Sequence, residues 1–277
     1  MKLLLSSLDQ QKFERFALQP QQGLLLVAPN RSGKTTVLNE LAACITKKQL
    51  GLVSVIEPEE DKKTIGIDSI RRLKQALKLK SKQPRAVIIH NAGLLTPEAQ
   101  NSFLKILEEP PKNVHFLLGV NNDTAILETI KSRVVIWRLV PPTKKQITDY
   151  FSEYPMQKID KAIEISQKRA GLIKELLTKG SSSEVLESIE LAKTILASDR
   201  FKRLLLVDEL YKDPVKTSSL LEGLEIVCQA ALKKSADSGL SKTSKWAKRL
   251  KEVLDSQYKI SNNLQARPVL TRLFLVL

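Results

Sequence analysis

Over residues 23–136, short apolar runs alternate with amphipathic stretches. Leu24, Leu25, Leu26 and Val27 are apolar at every position, the pattern of a strand buried on both faces. Residues 52–56, 86–89, 114–120 and 134–139 read as four further strands. Between them, 35–43, 67–79 and 96–107 carry helical spacing; in the second, Ile67, Ile70, Leu73 and Leu77 recur every three or four positions. The third has its own punctuation. Thr96 can cap it, Pro97 suits the first helical position, and Pro110-Pro111 stops it. Strands alternating with helices predict an α/β fold with a parallel sheet covered on both faces.

Pro141-Pro142 marks a boundary, and beyond it strand alternation gives way to helical periodicity. A small helical unit is expected to about residue 179. Gly180-Ser181-Ser182-Ser183 reads as a linker, and 184–277 as a series of amphipathic helices. The predicted organisation is a core domain over 1–140, a helical lid over 141–180 and an all-α C-terminal domain over 181–277.

Composition narrows the function. Among 277 residues, 45 Lys and Arg against 30 Asp and Glu leave a net charge of +15, which suits a polyanionic partner, nucleic acid first. Lys233, Lys234, Lys242, Lys245, Lys248, Arg249 and Lys251 are expected to form a basic surface. Two cysteines, Cys44 and Cys228, exclude a disulfide framework and a four-cysteine zinc site, and both are expected to be core thiols. Residues 1–8 lack the pattern of a signal peptide, and no apolar run nears the roughly 20 residues of a membrane span, so a cytoplasmic protein is expected.

The candidate chemistry starts at Ala28-Pro29-Asn30-Arg31-Ser32-Gly33-Lys34-Thr35, between the first strand and a helix. This is a phosphate-binding P-loop with alanine at its first glycine position. Backbone N–H groups there, from Asn30 through Thr36, can cradle phosphate oxygens. Ser32 lies within the loop, Gly33 permits close approach, Lys34 reaches the phosphates, and Thr35 can offer its hydroxyl to Mg²⁺. ATP and Mg²⁺ are therefore the expected ligands, and Ala28 is expected to strain the loop if its φ must be positive. The strand 86–89 should end in acids, one to hold Mg²⁺ and one to polarise water. It ends instead in His90-Asn91, which supply no carboxylate. Glu57 or Glu59 is the alternative source of one.

Residues 94–111 contain Glu98-Ala99-Gln100-Asn101-Ser102-Phe103-Leu104-Lys105-Ile106-Leu107-Glu108-Glu109-Pro110-Pro111. The run resembles the "EAQNALLKTLEEPP" motif of the bacterial DNA polymerase III clamp-loader subunits, a family of the AAA+ class. Asn121 falls at that family's sensor-1 position, and Thr129-Ile130-Lys131-Ser132-Arg133-Val134 is similar to its "TIRSRC" motif. Residues 170–174 are similar to its sensor-2 segment, with Lys174 where active members carry arginine, and 260–277 to its final collar helix. The resemblance is strong over 24–140 and faint beyond.

It implies a pentameric machine that opens a ring-shaped clamp and closes it on primed DNA, with tau/gamma motor and delta subunits as neighbours. Ala28, His90, Asn91 and Lys174 depart from the motor subunits and favour the delta-prime branch, which keeps the fold and often loses hydrolysis. The cysteine cluster that many relatives carry is missing, so no zinc is expected. Arg133 is implied to be an arginine finger acting on a neighbour's ATP. The alternatives are a working motor ATPase of the same loader and a stand-alone nucleic-acid-binding P-loop protein.

Overall fold

The computed structural model describes residues 3–49, 52–60, 62–78, 81–179, 183–237, 243–261 and 264–277. Leu79, Gly180 to Ser182 of the expected linker, Lys242, and Asn262-Asn263 of the C-terminal resemblance lie outside them. The chain divides into two compact units, Met1–Glu153 with Lys168–Leu172, and Tyr154–Gln167 with Ile173–Leu277.

In the first unit, α1 (Ser7–Leu18) precedes β1 (Gly23–Val27), α2 (Lys34–Ile45), β2 (Val53–Val55), α3 (Ile67–Leu77), β3 (Arg85–Ile89), α4 (Pro97–Glu108) and β4 (Val114–Val120). Then come α5 (Glu128–Lys131), β5 (Val135–Arg138) and α6 (Lys144–Tyr150). The sheet is parallel throughout, in the order β2-β3-β4-β1-β5. The inner strands β1, β3 and β4 are buried almost throughout because each face has a cover, whereas the edge strands β2 and β5 keep exposed positions. Leu24, Leu26, Ile88 and Leu117 pack with Phe16 of α1 and Leu38 and Leu41 of α2. Leu25, Val87, Ile89 and Leu118 pack with Ile70 and Leu73 of α3 and Phe103 of α4. Phe103 meets Phe116 edge to face at 5.3 Å between centroids, a favourable arrangement of ring quadrupoles.

The punctuation of α4 is as its residues dictate: the Thr96 hydroxyl accepts from the Ala99 amide, with proline opening the helix. Helix α1 was not anticipated. Its start is organised by Asp9, a fully buried carboxylate that accepts from Ser6 Oγ at 2.9 Å, Trp137 Nε1 at 2.7 Å and the Val140 amide at 2.7 Å. Capping of α6 by Thr143 and Gln146 is reciprocal, and Gln146 Nε2 also donates to Ser7 Oγ. The N-terminal helix and the chain leaving β5 are thus tied together.

The second unit is helical: α7 (Met156–Ser166), most of α8 (Ala170–Lys179), α9 (Glu184–Ala197), α10 (Arg200–Leu210), α11 (Pro214–Asp237), α12 (Thr243–Ser261) and α13 (Ala266–Val276). Leu220, Leu224, Cys228, Val253, Leu270 and Phe274 make its core. Arg203 closes the end of α9, donating to the carbonyls of Ile195 and Leu196. Two expectations need correction. Cys228 is a core thiol, its pKa pushed up to about 11 by burial, whereas Cys44 is exposed on α2. Lys233, Lys234, Lys245, Lys248 and Lys251 are exposed, but Arg249 is half-buried, stacked on Trp246 and bonded to the Leu277 carbonyl. Its charge serves the packing of α12 against the chain's last residue. No helix among the described residues is long and apolar enough to cross a membrane.

Candidate functional site

The loop 28–33 leaves β1 at the centre of the sheet and turns into α2. The Ala28 amide donates to the Val120 carbonyl at 3.1 Å and Ser32 N–H to the Pro29 carbonyl at 3.3 Å. The expected strain at Ala28 is not found; the left-handed positions are Arg31, at φ 59°, and Gly33, at φ 91°. The alanine methyl is buried in the core, so it is tolerated because this position keeps an ordinary backbone. The unusual residue is Arg31, since a non-glycine residue in that region is sterically disfavoured.

Lys34 opens α2 and is buried to 8% exposure. Its ammonium donates to the carbonyls of Ala28 at 2.6 Å and Pro29 at 3.2 Å, and to Asn121 Oδ1 at 2.8 Å. Burial, and secondarily the charge of Arg169, push its pKa down to about 8. The structure therefore joins Lys34 to Asn121, which follows β4, the neighbour of β1. Asn30 and Thr35 are exposed beside them, and Ser32 and Thr36 are half-buried. The start of α8 closes over this loop. The Leu172 amide donates to the Arg31 carbonyl at 3.0 Å. Gly171 is required there, because a Cβ on it would lie 2.6 Å from the Arg31 carbonyl oxygen. Lys174 is exposed on α8 and belongs to the second unit.

At the end of β3, His90 Nε2 lies 2.8 Å from Asn39 Oδ1 on α2, and Nδ1 lies 3.3 Å from Glu57 Oε1. Glu57 arrives through sheet order. β2 pairs with β3, and the Ile56 amide donates to the Ile88 carbonyl, so the residue after Ile56 emerges beside His90. Glu59 is engaged elsewhere; hydrogen bonds from Arg72 and then Lys62 hold its pKa down at about 2. Asn91 begins the single turn that leads to α4.

Arg133 sits in the turn between α5 and β5. It donates to the Thr129 carbonyl at 2.9 Å, Ser132 Oγ at 3.3 Å and Glu108 Oε1 at 3.1 Å. Because β5 runs parallel to β1, with Leu24 opposite Val135, Arg133 lies where β1 begins and the phosphate loop lies where it ends. At about 3.3 Å per residue the two ends are roughly 16 Å apart. Sequence reasoning missed Gln100, which is buried on α4, donates to the Ala125 carbonyl and accepts from the Leu127 amide. It holds the segment leading to α5 and Arg133. A glutamine at a core position of α4's apolar stripe was the available signal.

A buried lysine in a strand–loop–helix turn, beside an asparagine from the adjacent strand, suits the phosphate chain of a nucleotide. With the parallel sheet and the helical second unit, the chain has the α/β fold of AAA+ P-loop proteins. A family model described as "DNA polymerase III, delta subunit" matches residues 43–143, a stretch that starts after the loop. "DNA polymerase III subunit delta'" of Yersinia pestis is 37% identical over 90 residues, 32% of this chain and 26% of that protein. The Escherichia coli K12 protein of the same name is 32% identical over 99 residues, 35% of this chain and 30% of that protein. The matches thus span under a third of these relatives' length. A solved Thermotoga maritima structure, described as a DNA polymerase III gamma-subunit-related protein, shares the fold. Its TM-score is 0.54 at 19% identity, over 96% of this chain and 97% of that one. Over the matched segment this chain is similar to bacterial DNA polymerase III delta-prime subunits.

Proposed function

We propose that this chain works as a delta-prime-like subunit of a clamp loader, assisting ATP-driven loading of a sliding clamp onto primed DNA. Its neighbours in this reading are a tau/gamma-type motor and a delta-type subunit, in the cytoplasm. Residues 1–140 form the core, 141–180 the lid and 181–277 the oligomerising collar. The phosphate loop holds a nucleotide through Lys34, Asn121 and the backbone amides of 30–36, with Thr35 offered to Mg²⁺. The chain does not hydrolyse that nucleotide, because His90 and Asn91 stand where Mg²⁺ and the attacking water need carboxylates. Arg133 serves the neighbour: its planar guanidinium stabilises charge that develops on the transferred phosphoryl group.

The observation that supports this most is the position of Arg133 at the sheet end opposite the chain's own loop, where it cannot act on its own nucleotide. The test is reconstitution with the partner subunits, followed by ATPase stimulated by clamp and DNA. Arg133→Ala should leave the complex assembled and slow the adjacent motor site; a finger's full effect is about 10³–10⁵-fold. Unchanged kinetics with the variant incorporated would remove the finger role. One observation favours a second reading, a working ATPase: Glu57 brings a carboxylate to His90 at the end of β3. Turnover by the isolated chain that is lost with both Lys34→Ala and Glu57→Gln would select it.

A further inference from the structure

Helix α4 ends in two acids, Glu108 and its cap Glu109, although the C-terminal end of a helix favours cations over anions. What lies opposite offsets that cost. Ile130 of α5 is buried in the same core cluster as Phe103 and Leu107 of α4. Near the start of α4, Gln100 holds the segment that leads to α5. At the end of α4, Glu108 Oε1 accepts from Arg133 Nη2 at 3.1 Å. Arg133 Nη1 completes the anchorage within its own turn, donating to the Thr129 carbonyl at 2.9 Å and to Ser132 Oγ at 3.3 Å. Ser132 Oγ is fixed in turn, because it donates to the same Thr129 carbonyl at 2.9 Å.

These anchors orient the guanidinium without exhausting it. A guanidinium carries several N–H donors in a rigid plane. Nη1 and Nη2 are the nitrogens engaged, and among the described residues no acceptor meets Nε–H. The side chain also stays 38% exposed. An anion arriving from outside therefore meets an oriented donor edge, with Glu108 still bonded to Nη2. An exposed ion pair adds little to stability. Its value here is orientation, since a long side chain that is already ordered gives up less freedom on meeting a phosphate. We propose that Glu108 is the positioning residue of Arg133, holding the guanidinium in the orientation in which it meets the phosphate chain of a nucleotide bound by the neighbouring subunit. This rests on the finger reading above and adds to it the residue on which the finger's aim depends.

The experiment is single-turnover ATP hydrolysis at the adjacent motor site of the reconstituted complex, with clamp and primed DNA present. It compares the wild type with Arg133→Ala, Glu108→Ala, Glu108→Gln and the double variant Glu108→Ala/Arg133→Ala. Incorporation of each is verified, and the melting temperature of each free chain is measured. Glu108→Ala should lower the rate constant at saturating ATP by about three- to tenfold, less than Arg133→Ala does. The half-saturating ATP concentration should stay within about twofold, because the loss falls on the transition state. Glu108→Gln keeps an acceptor oxygen and should recover most of the rate. In the Arg133→Ala background Glu108→Ala should cost nothing further, since its effect passes through the guanidinium. Should Glu108→Ala fail to fold or assemble, Glu108→Lys replaces it, with a larger loss expected from repulsion. An unchanged or faster rate without Glu108, while Arg133→Ala slows hydrolysis, overturns the role of Glu108 and leaves the finger standing. An equal further loss in the Arg133→Ala background overturns it too, because Glu108 then acts through the structure of α4. No effect of Arg133→Ala overturns the finger reading, and this proposal with it.

Discussion

Asp9 offers the most direct test of how the first unit is held together. Its carboxylate is fully buried and receives three hydrogen bonds, from Ser6 Oγ, the Trp137 indole and the Val140 amide. Asp9→Ala removes the acceptor from all three. A hydrogen bond to a charged group contributes about 1.5–3 kcal/mol, and a buried donor left unpaired costs about 1–3 kcal/mol. Trp137 is 3% exposed, so water cannot replace the lost partner at its indole. Allowing for non-additivity within one network and for recovered desolvation of the carboxylate, the loss should be about 3–5 kcal/mol. With a urea m-value of about 2 kcal/mol/M, the midpoint falls by about 1.5–2.5 M. Asp9→Asn keeps one acceptor oxygen but turns an amine toward a donor, and should lose about half as much. The assay is urea unfolding followed by tryptophan fluorescence in a Trp246→Phe background. Trp137, the other of the chain's two tryptophans, then reports the first unit alone. A midpoint shift below about 0.5 M for Asp9→Ala would show that the network contributes little and that α1 is held mainly by the apolar contacts of Phe13, Phe16 and Ala17.

Other outcomes follow from the loop and the second unit. Lys34 has a folded pKa of about 8 against an ordinary 10.5, so between these values the folded chain binds fewer protons than the unfolded one. Its contribution to stability should therefore rise with pH across about 8 to 10.5; urea titrations of wild type against Lys34→Met over that range check the sign, and a falling difference would refute it. Gly171→Ala places a methyl against the Arg31 carbonyl and should cost about 1–3 kcal/mol by overpacking, read as a lowered melting temperature together with weaker MgATP binding. Reversal of the exposed Lys245, Lys248 and Lys251 to Glu should reduce DNA binding by the free chain and flatten its salt dependence. Salt-titrated fluorescence anisotropy measures this, and an unchanged slope would leave the residues as a solvated helix face.

The sequence alone determined what depends on neighbours along the chain. The inner strands were legible because a sheet covered on both faces demands largely apolar runs, and α4 because Thr96, Pro97 and Pro110 act within a few residues of themselves. The P-loop was legible for the same reason, and so was the lack of acids at the end of β3. What the tertiary structure decided are the meetings of distant segments. Asn121 reaches Lys34 across 87 positions because β4 lies beside β1. Glu57 reaches His90 because β2 lies beside β3. Asp9 reaches Trp137 and Val140, and Arg133 reaches Glu108, for reasons that local periodicity does not carry. Ala28 gave concern as a residue type, yet whether it is strained is a question of φ, and the strain-prone conformation fell on Arg31 instead. Periodicity encodes which face of an element is buried; strand order and backbone dihedrals, set by how all the faces pack at once, decide which side chains share a site.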